Sequence, residues 1–183
     1  MVSKEMSDVS FPNWIRAVDV IVGIVSIIAA VLFVVDHSLS SLILIFVLAA
    51  ALTAVGFARV ARAAAVKAKG TPRRIVNLIS GLSVILIVAI LVLTSGLADS
   101  LQIRLIAFAW LINAIARILI GFFEKDVDKN LRILQFIVGI LSALIAVYID
   151  LNPLVDVSTA VLFLALVVGA NGLARTARGY VGV

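Results

Sequence analysis

Three arginines, Arg59, Arg117 and Arg175, stand 58 residues apart, and three more, Arg16, Arg74 and Arg132, keep the same interval. The same shift carries Asp19 onto Asn77 and then Gln135. In a chain this apolar, these residues hold most of the capacity for polar chemistry. A guanidinium donates through a planar fork, and carboxylate or side-chain amide oxygens accept. Two arrangements are open to Arg59, Arg117 and Arg175. In one they reach outward to lipid headgroups and offset the negative ends of their helices. In the other, each donates to the oxygen-bearing side chain at a similar depth, Asp19, Asn77 or Gln135, and locks two helices together. Only Asp19 could form a charge-assisted pair, and Arg59 is its candidate partner within the first repeat.

The remaining polar residues extend this theme without adding catalysis. Asn113 and Asn171 lie one turn before Arg117 and Arg175, where the first repeat has Val55, and are expected to bond between helices. Arg104 breaks the period, with Phe46 and Leu162 at the equivalent positions. It is expected to form a structural ion pair with Asp99, Asp150 or Asp156. His37 is the sole histidine and stands in a loop beside Asp36, where a pH-sensing role is conceivable but a plain loop residue is the expectation. Trp110 falls mid-helix and reads as packing rather than a cofactor platform.

No carboxylate, lysine or histidine occurs in the middle third of any apolar stretch, and there is no cysteine at all. A charged coupling-ion site and a proton relay therefore have no residues to build on. Metal-ligand spacing, a phosphate-binding glycine loop and a nucleophile beside a base are also missing. The expectation is a protein without catalytic residues, cofactor or metal: not an enzyme and not an active pump.

The elements that must position these residues follow from the same interval. Shifting by 58 superposes Gly23, Gly81 and Gly139, and likewise Gly56, Ala114 and Gly172, with no gap. The chain is a tandem triplicate of one unit. It is 64% hydrophobic and 14% charged with a mean hydropathy of +1.27, far from the quarter or so of charged residues usual in soluble domains. Six apolar stretches, at roughly 14–35, 39–60, 73–94, 100–122, 131–150 and 155–178, each approach the twenty or so residues that span a bilayer. Continuous apolar runs exclude a membrane β-barrel, whose strands alternate over about ten residues. The first run, Ala17 to Val35, is too long for a signal-peptide core and is repeated downstream. The predicted fold is an all-α integral membrane protein: a segment at 1–13, then one six-helix domain over 14–183 with repeats at 14–71, 72–129 and 130–183.

Charge sets the orientation. Of fifteen Lys and Arg residues, all but Arg104 flank the chain start, the connections from helix 2 to 3 and from 4 to 5, or the end of helix 6. The opposite connections carry Asp36, Asp99, Asp150 and Asp156. By the positive-inside rule both termini are expected in the cytoplasm, at the plasma membrane. Two spans per unit return the chain to its starting side, so the three helical hairpins insert in parallel, and a pseudo-threefold six-helix bundle is the expected assembly. The net charge of +5 is accounted for by this topology, so no nucleic-acid partner is expected. Membrane lipids are.

Apolar burial does not drive helices together within lipid, so close approach of small residues must contribute. On odd helices, Gly23, Gly81 and Gly139 sit on the stripe that also bears the arginine and the Asp, Asn or Gln. On even helices, Ala49, Gly56, Ala63 and their equivalents recur every seven residues.

The three hairpins, with Arg16/Gly23, Arg74/Gly81 and Arg132/Gly139 opening the odd helices, resemble the HdeD family of small membrane proteins. The endings Gly56-Phe57-Ala58-Arg59, Ala114-Ile115-Ala116-Arg117 and Gly172-Leu173-Ala174-Arg175 carry the same likeness. It spans about 14 to 180. Pro at the outer turn, frequent in that family, is matched only by Pro153. The resemblance implies a multi-pass membrane protein linked to acid stress, and it brings no catalytic residues with it. The leading expectation is a non-enzymatic structural or stress-associated protein acting through helix packing and self-assembly. The alternatives are a passive channel along the pseudo-threefold axis and an accessory subunit of a larger membrane complex.

Overall fold

The computed structural model describes residues 12–35, 41–65, 71–94, 96–123 and 128–181. Six helices account for nearly all of them: α1 (Asn13–Val35), α2 (Ser41–Ala65), α3 (Thr71–Leu93), α4 (Asp99–Phe123), α5 (Lys129–Leu151) and α6 (Val157–Val181). Each contains a span of 22 to 25 residues apolar enough to cross a membrane. At about 1.5 Å of rise per residue these reach about 33–38 Å, the thickness of a hydrocarbon core with a margin at each end. His37 and Asp36 lie outside the described residues, as does the 1–11 segment.

Local chemistry fixes several ends. The Asp128 carboxylate accepts from the backbone N–H of Asn130 at 2.8 Å and of Leu131 at 3.3 Å, capping α5. Asp156 does the same for α6, accepting from the Thr159 N–H at 2.7 Å, and Thr159 Oγ1 donates back to its second oxygen at 2.8 Å. These bonds hold the exposed Asp156 carboxyl below the usual carboxylate range, the backbone bond first. After α3, Gly96 takes φ +106°, a backbone region closed to most side chains, and lets the chain turn into α4.

The even helices run further than the apolar pattern alone indicates. The sequence places the end of helix 2 near residue 60, but α2 continues to Ala65. The Ala-rich run after Arg62 has high helix propensity, so the helix outlasts its greasy stretch. Arg59 and Arg62 therefore sit within α2 and not in the connection that follows.

Burial divides the helices into two sets. In the membrane-spanning windows of α2, α4 and α6, 50%, 56% and 50% of residues are buried, against 33% in each of α1, α3 and α5. The even helices also touch one another. Between them lie Leu48, Leu52 and Val55 of α2, Ile106 and Trp110 of α4, and Leu164, Val167 and Val168 of α6, all at 0% exposure. Each odd helix buries one stripe only. On α1 it comprises Ile15, Asp19, Gly23, Ser26, Ala30 and Phe33, at steps of three and four. The other face shows Ile21, Ile24, Val25, Ile28, Val31 and Leu32 to the surroundings. An apolar surface of that extent, repeated on every odd helix, fits hydrocarbon as its solvent.

The most extensive helix pairs are α1 with α6, α4 with α5 and α2 with α3. All of these join one 58-residue unit to another, whereas α1 and α2, within the first unit, touch less. Small residues explain the preference. A Cβ on Gly81 would lie 2.8 Å from the Gly56 carbonyl oxygen, and one on Gly172 would lie 2.7 Å from that of Gly23. On α5, a Cβ on Gly139 would meet Ile118 Cγ1 at 2.8 Å and the Ala114 oxygen at 3.3 Å. The backbones approach only because hydrogen stands where a methyl would clash. Edge-to-face contact between Phe122 and Phe136, with centroids 5.0 Å apart, adds to the α4–α5 seam.

Candidate functional site

The periodic polar residues gather at the end of the bundle where α1, α3 and α5 begin and α2, α4 and α6 finish. Arg59 Nη1 donates to Asn77 Oδ1 at 3.3 Å, Arg117 Nη1 to Gln135 Oε1 at 2.8 Å, and Arg175 Nη1 to Asp19 Oδ1 at 3.2 Å. All three arginines are buried, at 5%, 4% and 6% exposure, so they turn inward and do not reach out to headgroups. Each bond follows a tight helix pair: α2 to α3, α4 to α5, α6 to α1. Asp19 is not bonded to Arg59, its candidate within the first repeat. Its second oxygen instead accepts from Arg62 Nη2, so that Asp19 ties α1 to both α2 and α6.

A second tier lies one turn deeper. Arg59 Nε donates to Asn113 Oδ1 at 2.8 Å and Arg59 Nη2 to the Asn113 carbonyl at 2.9 Å. Asn113 Nδ2 reaches Asn171 Oδ1 at 3.4 Å, and Asn171 Nδ2 donates to Ser142 Oγ at 3.0 Å and to the Val167 carbonyl at 2.7 Å. One chain of side chains thus runs from α2 through α4 and α6 to α5. Val55 stands where the other repeats have asparagine, so α2 supplies Arg59 to this network without an amide of its own. Buried amides of this kind bond to protein because no water is present to replace it.

The other singled-out residues lie apart. Arg16 Nε donates to the Gly179 carbonyl at 3.3 Å and Arg132 Nε to the Gly121 carbonyl at 3.3 Å, so each satisfies an orphan carbonyl at the end of a neighbouring helix. Arg74, third of that set, is exposed and makes no hydrogen bond among the described residues. Arg104 sits at the opposite end. There it acts electrostatically on Asp150, the carboxylate of its expected ion pair that lies on α5, without direct ion-pair contact. It borders a recess of about 250 Å³ with Ser100, Asn152 and Val155.

Two functional candidates escaped the sequence reading of the cluster. Charge sorting accounts for Arg62 and Arg178 as flanking basic residues, yet both are buried and both line the recess at the arginine end. The signal was present: each lies three residues after a periodic arginine, on the same helix face, with Ile120 at the equivalent position of the middle repeat. The recess encloses about 340 Å³ counting its open mouth and is lined by Arg59, Arg62, Arg117, Arg175, Arg178, Asn77, Gln135 and Ile120. Among the described residues no group of three or more His, Cys, Asp or Glu side chains could hold a metal.

Residues 21–94 match a family model described as a short repeat of unknown function, DUF308, the family of HdeD-like membrane proteins. The matched stretch contains Gly56, Arg59, Asn77 and Gly81, which meet at the α2–α3 seam, together with Gly23 of α1 and Arg62 of α2. No curated protein and no solved structure matches the chain. Similarity to that repeat family over residues 21–94, together with six helices apolar enough to span a bilayer, identifies a multi-pass membrane protein.

Proposed function

We propose that the chain is an HdeD-like protein of the plasma membrane, non-enzymatic, in which three parallel hairpins close into a pseudo-threefold bundle with both termini cytoplasmic. The equivalence of its seams supports this arrangement: α2–α3, α4–α5 and α6–α1 repeat one arginine bond and one small-residue contact at period-related positions. The third seam joins the last helix to the first and so closes the ring. Its role is structural, with a stress-associated, acid-stress-like setting carried over from the family resemblance.

The observation that supports a packing role over a conduit is the apolar interior shared by the even helices. Leu48, Leu52, Ile106, Trp110 and Leu164 are fully buried and belong to one apolar core cluster. Of the four serines that a path would draw on, Ser26, Ser80, Ser83 and Ser142, all but Ser83 bond to neighbouring groups: Ser26 Oγ donates to the Val22 carbonyl at 2.7 Å and Ser80 Oγ to the Asn77 carbonyl at 3.3 Å. Ser142 accepts from Asn171.

Flux in proteoliposomes tests the reading. Under an imposed pH gradient, proton and small-solute leak should match that of protein-free vesicles. Leak above that background, abolished by enlarging an axial residue, would establish the channel alternative instead. The stress setting is tested separately by survival of a deletion strain after acid challenge, where survival equal to the parent's removes it.

A further inference from the structure

We propose that the arginine-lined recess is a binding site for a phosphate-type oxyanion. The inference goes beyond the structural role and does not depend on whether the bundle conducts.

Five guanidinium groups border one recess, and its described lining contains no carboxylate. Asp19, a described carboxylate at this end of the bundle, is already occupied by Arg62 and Arg175. Arg117 is 4% exposed, and its one hydrogen bond among the described residues goes to a neutral acceptor, Gln135. The Nε atoms of Arg117 and Arg175 are buried and find no partner among the described residues. A buried guanidinium that faces other cations and a neutral amide is an expensive arrangement, and an anion is what relieves it.

Chemistry selects the class of anion. Arginine presents donors in a planar fork that matches the tetrahedral oxygens of phosphate, and a cluster of them is the common protein solution for that group. The mouth of the recess opens at the end of the bundle where headgroups would lie, so the same chemistry has two sources, a free phosphate or the phosphate of an anionic lipid. The even helices present their carbonyl ends here, so backbone amides of those helices contribute no attraction and the arginines must supply it.

The test uses the full chain in nanodiscs of phosphatidylcholine alone, and in nanodiscs that also contain phosphatidic acid. Inorganic phosphate is titrated into the first at constant ionic strength, balanced with chloride, and the thermal transition is followed. A saturable rise with phosphate supports a free oxyanion as the ligand, and a rise produced only by phosphatidic acid supports the lipid source. In either case Arg117→Gln should weaken the apparent affinity about tenfold or more, the loss expected for a hydrogen bond to a charged group. Arg104→Gln, at the opposite end, should leave it unchanged. Should Arg117→Gln fail to fold, phosphorus NMR and native mass spectrometry of the wild-type protein decide the matter: retained phosphate or phosphatidic acid supports the site. No saturable response to either probe overturns the proposal, as does a response equal in wild type, Arg117→Gln and Arg175→Gln.

Discussion

Asp19 concentrates a three-helix contact in a single buried charge. It is 3% exposed, and its two oxygens accept from Arg62 on α2 and Arg175 on α6. Asp19→Ala removes the Asp19 carboxylate from two buried guanidiniums, a loss of about 3–5 kcal/mol in comparable buried pairs. Asp19→Asn is more informative. An amide has one acceptor oxygen, so one arginine keeps a neutral bond, as Arg59 does with Asn77, and the other faces an N–H₂ group. Hydrogen bonds to charged groups contribute about 1.5–3 kcal/mol against about 1 kcal/mol for neutral ones. One bond lost and one weakened thus cost about 2–4 kcal/mol. Adding Arg62→Gln supplies an acceptor for that N–H₂ and removes one buried charge, so the double variant should recover about 1 kcal/mol or more through coupling. Equilibrium unfolding in mixed micelles titrated with dodecyl sulfate, followed by circular dichroism, measures all three. If Asp19→Asn costs less than about 0.5 kcal/mol, or if the two substitutions are simply additive, the three-helix tie at Asp19 is not what stabilises this end.

Other consequences follow from the same geometry. Gly172→Leu should separate α6 from α1 and prevent a stable monodisperse fold in detergent, because even a Cβ there meets the Gly23 oxygen at 2.7 Å; wild-type elution and melting would contradict the close-approach account. Trp110 is fully buried with an indole N–H lacking a partner among the described residues. Trp110→Phe should therefore change stability by less than about 1.5 kcal/mol, whereas Trp110→Ala should cost about 3–5 kcal/mol, as read from the same unfolding assay. The chain has no native cysteine, so single cysteines report orientation cleanly. Lys129→Cys should react with an impermeant maleimide only in inside-out vesicles, and Leu154→Cys, 91% exposed in the native residue, only in right-side-out ones. The reverse pattern would invert the topology.

Much of the candidate site was legible before any coordinates. The 58-residue interval marked Arg59, Arg117 and Arg175, marked their acceptors Asp19, Asn77 and Gln135, and marked the glycines beside them. It also indicated six helices, because apolar runs of bilayer length admit little else. What it left open was whether the arginines turn outward or inward, since an arginine near a helix end meets its hydrogen-bonding needs either way. Burial of all three decided that.

Partner choice is the deeper case. A repeat is indifferent to whether an even helix pairs within its own unit or with the next, because both choices preserve the interval. Asp19 with Arg59 and Arg59 with Asn77 are equally periodic, and only the second is made. The sequence by itself determined the solvent, the number of helices and which residues are equivalent, since composition and spacing are properties of the chain alone. Tertiary structure decided which equivalents meet. Glycine-to-backbone contact draws each even helix against the odd helix of the following unit, and α6 against α1. That packing brings Arg62 and Arg178 into the same recess as the periodic arginines, a concentration of charge that no interval along the chain expresses.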